Sequence, residues 1–171
     1  MYTTKFLDGL DGLVSSIIVI GALIIAIVSI SPAVGQPETA LLALIVACAF
    51  GGFLLFNWHP ATIFLGESGS LVAGFLLGVL AILSGGKIAT TVLVMSIPII
   101  DVAWVIARRV IVERRSPFRG DTLHLHFRLL ALGLPHRVVV LLFSAGAAFF
   151  GASALLLDAT HKVVLLVLVV G

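Results

Sequence analysis

The chain has 171 residues, 61% of them hydrophobic and 11% charged, with a formal net charge of +2. Soluble domains are about half apolar and about a quarter charged, so a water-soluble fold of this length could not hide so much apolar surface. Composition therefore excludes an ordinary soluble domain and assigns the excess apolar area to lipid, and no nucleic-acid partner is expected.

Apolar runs of about 17 to 25 residues match a hydrocarbon core about 30 Å thick. The first such run is 13–30. Residues 31–39, with Pro32, Gly35 and Pro37, form a short loop, and 40–56 make the second span. Residues 57–70 are polar and Gly-rich. The third span, 71–83, is short and is extended at its ends, and 85–87 is a tight turn. The fourth, 88–107, contains Pro98, which is expected to kink it. Residues 108–137 are the long polar segment, 138–157 the fifth span, and 163–171 a partial sixth after a turn at 158–162. The expected fold is an all-α polytopic membrane protein, one transmembrane domain over 1–171. Its spans number about five, plus the partial sixth. No basic segment, apolar run and cleavage site occur in that order at the start, so the first run is expected to stay as a span. Cys48 is alone, which leaves no disulfide framework within the chain.

Spans alternate sides, so loops 1–12, 57–70 and 108–137 share one face. Lys5 and the seven arginines 108, 109, 114, 115, 119, 128 and 137 lie there, against Lys87 and Lys162 opposite. The positive-inside rule makes that face cytoplasmic, which predicts a multi-pass protein of the inner (plasma) membrane. The same alternation collects Asp8, Asp11, Glu67, Asp101, Glu113 and Asp121 there, with His59, His124, His126 and His136. Asp101 lies within a span, about two turns from its end. A carboxylate at that depth is costly unless paired or facing a wet cavity.

Three clusters could carry chemistry. Asp8 and Asp11, three apart, share a face if their segment is helical. Such a pair can bind Mg²⁺ or supply a base beside a metal-bound phosphate; equally, it can cap a helix N-terminus. In Asn57-Trp-His-Pro-Ala-Thr-Ile-Phe-Leu-Gly-Glu-Ser-Gly-Ser70, Gly66 and Gly69 bracket Glu67, beside a helix start suited to phosphate. A well-capped loop explains the same residues, and His59 also reads as an interfacial residue. The third cluster holds Arg114-Arg-Ser-Pro-Phe-Arg-Gly-Asp121 and His124-Leu-His126. Arginine matches phosphate geometry, while basic loops also arise from topology alone. Gly74 and Gly78 fit small-residue helix packing.

Four ordered motifs resemble a known family. They are Phe6-Leu-Asp-Gly-Leu-Asp-Gly-Leu13, Asn57 to Ser70, Pro98-Ile-Ile-Asp101 followed by Arg108-Arg109, and Ser116-Pro-Phe-Arg-Gly-Asp-Thr-Leu-His-Leu-His-Phe-Arg-Leu-Leu130 with Gly133. The chain looks like the polyprenyl-phosphate N-acetylhexosamine-1-phosphate transferases of glycosyltransferase family 4. The resemblance implies transfer of a sugar phosphate, GlcNAc-1-phosphate by the Asp-x-x-His-x-His form, from a UDP-amino-sugar to undecaprenyl phosphate. UMP is released, Mg²⁺ is the cofactor, and the product serves cell-wall or surface-polysaccharide synthesis. It also implies residue roles. Asp8 and Asp11 match the catalytic acidic pair, and Glu67 takes the place of a metal-ligating Asp. Asn57, Arg119, Asp121, His124 and His126 match substrate-binding positions.

Departures are visible. Lys5 stands where the family has Asn, Glu67 where it has Asp, and Phe127 where it commonly has a second His. The family also carries several spans and another acidic pair before the Asp8 motif, so the chain is expected to correspond to the C-terminal portion, with a partner chain supplying upstream helices. The alternatives are a non-catalytic remnant or subunit of such an enzyme, and an ion transporter using Asp101. The last predicts polar residues running through to both faces, contrary to their clustering on one.

Overall fold

Inside a bilayer each backbone N–H and C=O must be satisfied within its own segment, so long apolar runs form helices. The computed structural model describes residues 8–32, 34–84, 88–113 and 124–157, with Thr4 and Val164 besides. Its helices are α1 (Leu13–Ile30), α2 (Pro37–Asn57), α3 (Gly66–Leu83), α4 (Ile88–Val94), α5 (Ser96–Ala107), α6 (Leu125–Ala131) and α7 (His136–Leu156). No strand occurs among the described residues. The protein is an all-α polytopic membrane protein. Four helices (α1, α2, α3 and α7) are long and apolar enough to cross a membrane, and α4 with α5 makes a fifth if the bent pair is one span. The partial sixth span, the turns at 85–87 and 158–162, and the segment 114–123 lie outside the described residues.

The boundaries follow local chemistry. Pro37 sits at the first position of α2, where its missing N–H costs nothing. α3 begins at Gly66, five residues before the apolar stretch, and takes Glu67 into its first turn. The chain bends by 72° between α4 and the following helix. The break falls at Met95 rather than at Pro98 itself. A proline ring clashes with the carbonyl four residues earlier, here Val94, so the disruption appears one turn upstream. After Ala107 the helix does not stop at the basic residues. It winds on through Arg108–Glu113 in a wider, π-type turn.

α1 is the centre of the bundle. It packs on α2, α7, α3 and α4 and is buried along most of its length, whereas α2, α3 and α7 leave most of theirs open. Two of its serines find partners on other helices. Ser144 Oγ of α7 donates to Ser16 Oγ at 2.9 Å, and Ser15 Oγ donates to Asn57 Oδ1 at 2.9 Å. Apolar neighbours include Leu13, Ile18, Ile25, Val139, Val140 and Phe143.

Helices come closest at glycines, where missing side chains let van der Waals contact develop. The approaches differ from the Gly74–Gly78 expectation: a Cβ at Gly78 would meet nothing within 4 Å. The close points include Gly21, facing Leu77, Gly146, facing Ile97 of α5, and Gly151, facing Ile24 of α1 and Val94 of α4. Small residues mark the capacity for contact, not the partner. Gly151→Val is expected to destabilise the bundle by about 1–3 kcal/mol through overpacking, while Gly78→Ala stays neutral or slightly stabilises its helix. Thermal unfolding in detergent measures both; a neutral Gly151→Val would refute the packing described here.

Candidate active site

The end of the bundle where α1 starts and α2 finishes gathers the polar residues. Asp8 to Gly12 forms the turn that leads into α1, and Gly12 takes a positive φ of 79° that favours glycine. Asn57, buried at the end of α2, ties this turn down. Its Oδ1 accepts from Gly12 N at 3.0 Å and from Ser15 Oγ, while its Nδ2 donates to Ile63 O at 3.0 Å. Asn57 thus fastens two loops, with one amide hydrogen left for a ligand.

Asp11 meets the second loop. Its Oδ2 lies 2.8 Å from His59 Nδ1 and 3.2 Å from the Ala61 N–H. His59 in turn stacks on His136, the first residue of α7, with ring centroids 3.9 Å apart and planes within 11°. Arg137 Nε donates to the His59 carbonyl at 2.9 Å. Partial burial pushes the Asp11 pKa up, but the His59 hydrogen bond, the Ala61 amide and the two nearby imidazoles outweigh it. The net result lies below the ordinary carboxylate value.

Asp8, three residues away, behaves oppositely. It is partly buried, and desolvation raises its pKa from 3.8 to about 6. Two carboxylates in one turn therefore divide: Asp11 stays charged, and Asp8 titrates near neutrality. Such a division separates an electrostatic role from a proton-transfer role.

Gly9 between them faces the third cluster. A Cβ there would sit 2.8 Å from His126 Nε2 and 2.9 Å from Phe127 Cζ. His126 is fully buried, and neither ring nitrogen has a hydrogen-bond partner. Its ring lies between His124, at 5.6 Å and nearly parallel, and Phe127, at 4.3 Å. Burial pushes its pKa down to about 4, the His124 ring adding to this and Asp101 opposing it. His126 is neutral at physiological pH, with one donor and one acceptor to offer. Buried polar atoms without partners are rare in finished cores and common where a ligand completes them.

His124 has a different setting. Its Nδ1 lies 2.9 Å from Asp101 Oδ2, and the Leu125 N–H donates to Asp101 Oδ1 at 2.6 Å. Asp101 is 7% exposed and His124 5%, so this pair is the partner that a carboxylate at membrane depth requires. Beside it, Ile97, Ile100, Asp101, Trp104, Leu125 and Arg128 line a cavity of about 290 Å³. Its walls are mostly apolar, with Asp101 and Arg128 the charged residues among them.

The structure thus joins Asp11 to His59, the Asp8–Gly9 turn to His126, and His124 to Asp101. Glu67 is exposed on the first turn of α3 and stands outside the group whose ligand atoms lie closest, Asp11, His59 and His136. Arg119 and Asp121 lie outside the described residues. Sequence reasoning left His59 as an interfacial residue and gave His136 no role. Their signal, two histidines on the same face as the acids, was present without a reason to pair them. Asp101 was marked by its depth, but its partner was not.

A model of the family described as glycosyl transferase family 4 matches residues 2–85. A probable undecaprenyl-phosphate N-acetylglucosaminyl 1-phosphate transferase of Bacillus subtilis is 36% identical over 160 residues, covering 90% of this chain and 44% of the relative. The decaprenyl-phosphate N-acetylglucosaminephosphotransferase of Mycobacterium leprae is 35% identical over 176 residues, covering 88% and 44%. A phospho-N-acetylmuramoyl-pentapeptide-transferase of Moorella thermoacetica is 36% identical over 152 residues, covering 88% and 46%. The chain spans less than half the length of these relatives. It belongs to glycosyl transferase family 4.

Proposed function

We propose that this chain forms the reaction end of a transferase that moves GlcNAc-1-phosphate from UDP-GlcNAc to undecaprenyl phosphate, at the cytoplasmic face of the plasma membrane. The observation that carries the proposal is the packing of the Asp8–Asp11 turn against His126, at the end of an apolar bundle. A soluble nucleotide and a membrane-held phosphate can meet only at such a place. The printed names of the relatives, polyprenyl-phosphate sugar-phosphate transferases, support the same substrates.

Phosphoryl transfer needs alignment and charge neutralisation more than covalent help from the protein. The lipid phosphate oxygen attacks the β-phosphorus of the UDP-sugar; the bond from that phosphorus to the bridging oxygen breaks, and UMP leaves. Asp8, with its raised pKa, takes the proton of a singly protonated lipid phosphate. His126, neutral, donates a ring N–H to a phosphate oxygen. His124 is held through Nδ1 by Asp101 beside this group. Arg128 and the apolar cavity beside Asp101 suit an acceptor that joins a phosphate to a hydrocarbon chain. Asn57 acts through the loops it fastens, and Arg119 and Asp121 are assigned to the nucleotide side.

Oxygen donors such as Asp8 and Glu67 suit Mg²⁺, which prefers carboxylates and phosphates. Glu67 is the proposed protein ligand. When bound, the ion neutralises the diphosphate and eases departure of UMP.

The direct test is transfer of labelled sugar phosphate from UDP-GlcNAc to undecaprenyl phosphate in membranes. The chain is assayed alone and together with a chain supplying upstream spans. Labelled lipid in either arm, dependent on Mg²⁺, is the expected result; its absence in both rejects the proposal. Asp11→Asn removes the charge that orients His59 and the second loop, and should lower turnover about 10–100-fold, as loss of a supporting polar partner does. Unchanged turnover would remove Asp11 from the mechanism.

A further inference from the structure

The Asp11–His59–His136 cluster offers chemistry beyond the orienting part that Asp11 plays in the proposed transfer. Asp11 precedes α1, His59 follows α2 and His136 opens α7, so three separate elements converge there. Among the described residues this group alone brings three potential ligand atoms within 4.8 Å of one another. The ring states also suit a metal. His136 lies close to the backbone of Asp11, while its Nε2 is shielded from solvent and has no hydrogen-bond partner. A ligating histidine usually donates its other ring N–H to a carbonyl or carboxylate, which fixes the lone pair on the free nitrogen. Asp11 supplies a carboxylate held in its charged form. His59 supplies Nδ1, already directed at Asp11.

The geometry points to a second cation site here, for a borderline transition-metal ion such as Zn²⁺, made by Asp11, His59 and His136. The donor set decides the class of ion. Mg²⁺ selects oxygen ligands, whereas two imidazoles and one carboxylate suit zinc and its neighbours. Ligand atoms about 2.0–2.1 Å from one zinc ion lie roughly 3.3 Å apart, so the cluster must close further. The two rings are nearly parallel, and parallel rings aim their lone pairs along parallel lines. Coordination therefore opens the His59–His136 stack, a weak contact beside nitrogen–zinc bonds. His59 is 39% exposed on its side chain and has room to turn. A bound ion would clamp the starts of α1 and α7 to the loop after α2.

The test of this site is independent of the transfer reaction, because metal binding is measured without substrate. The experiment is titration of the purified, chelator-stripped chain in lipid nanodiscs with Zn²⁺ alone and Co²⁺ alone. Expected results are saturable binding, visible Co²⁺ absorption bands that Zn²⁺ abolishes, and a higher unfolding temperature with Zn²⁺, as any ligand specific to the folded state produces. His59→Ala and His136→Ala should each weaken binding by more than about 100-fold, beyond the loss of a supporting group. Glu67→Gln should leave it unchanged. Should His136→Ala fail to fold, His59→Ala on its exposed ring carries the same test. No saturable binding by the folded wild type, or unaltered binding in His59→Ala, overturns the site.

Discussion

Asp8→Asn is expected to lower transfer by about 10²–10⁴-fold, the usual contribution of a positioned general base, and at the same time to make the folded chain more stable at neutral pH. Both effects come from one cause. Burial raises the Asp8 pKa from 3.8 to about 6, so the charged form is disfavoured where the protein holds it. In the wild type, activity should rise as pH passes through about 6, because only the ionised carboxylate accepts a proton. Stability runs the other way. Below 3.8 both folded and unfolded chains carry the proton, and the shift has no effect. Between 3.8 and about 6 the folded chain holds the proton more tightly than the unfolded one, so stability falls as pH rises, and above about 6 the loss is complete. Asparagine does not ionise. The variant should therefore unfold at a higher temperature than wild type at pH 7.5, and the gap should close towards pH 4. Unfolding is followed in chelator, so that bound metal does not mask the charge. A variant that keeps its activity, or a gap independent of pH, would separate Asp8 from this role.

The second large effect is expected at Asp101. Asp101→Asn keeps the shape of the side chain but replaces one of two acceptors with an amide. The carboxylate now accepts from both His124 Nδ1 and Leu125 N. An asparagine can satisfy only one of them as an acceptor. If its amide faces His124, the ring must reverse its tautomer and put the hydrogen on Nε2, so the hydrogen-bonding character of that nitrogen changes from acceptor to donor. Where such an orienting acid is neutralised in other enzymes, rates fall by up to about 10⁴-fold; here a loss of about 10²–10³-fold is expected. A merely structural role would lower the unfolding temperature without moving the pH profile. A positioning role changes the pH dependence of the remaining activity. Normal rates and an unchanged profile would show that His124 is held by other means.

The spans were legible because hydropathy reports burial in lipid directly, and 13–30 coincides with α1. The break in the fourth span was legible in kind but not in place, since the proline acts on a carbonyl four residues before it. The site was legible as three clusters on one face. Its pairings were not. Asp11 and His59 are 48 residues apart, and Asp101 and His124 are 23 apart. In a single sequence nothing links residues so separated, except that each has a chemical need the other can meet. Asp101 showed that need by its depth. His59 and His136 did not, because a histidine at a membrane surface is already at ease with water.

The central place of α1 has a consequence for biogenesis. Of the described spans it enters the bilayer first, yet it ends up enclosed by the others. The partner of Ser15 is 42 residues further on, and that of Ser16 is 128 residues further on. Ser15 must wait for α2 and Ser16 for α7, each folded back meanwhile on the helix's own carbonyls as Ser16 already is on Leu13. Assembly thus proceeds from the centre outward, and among the described spans α7, the latest to arrive, seals the first.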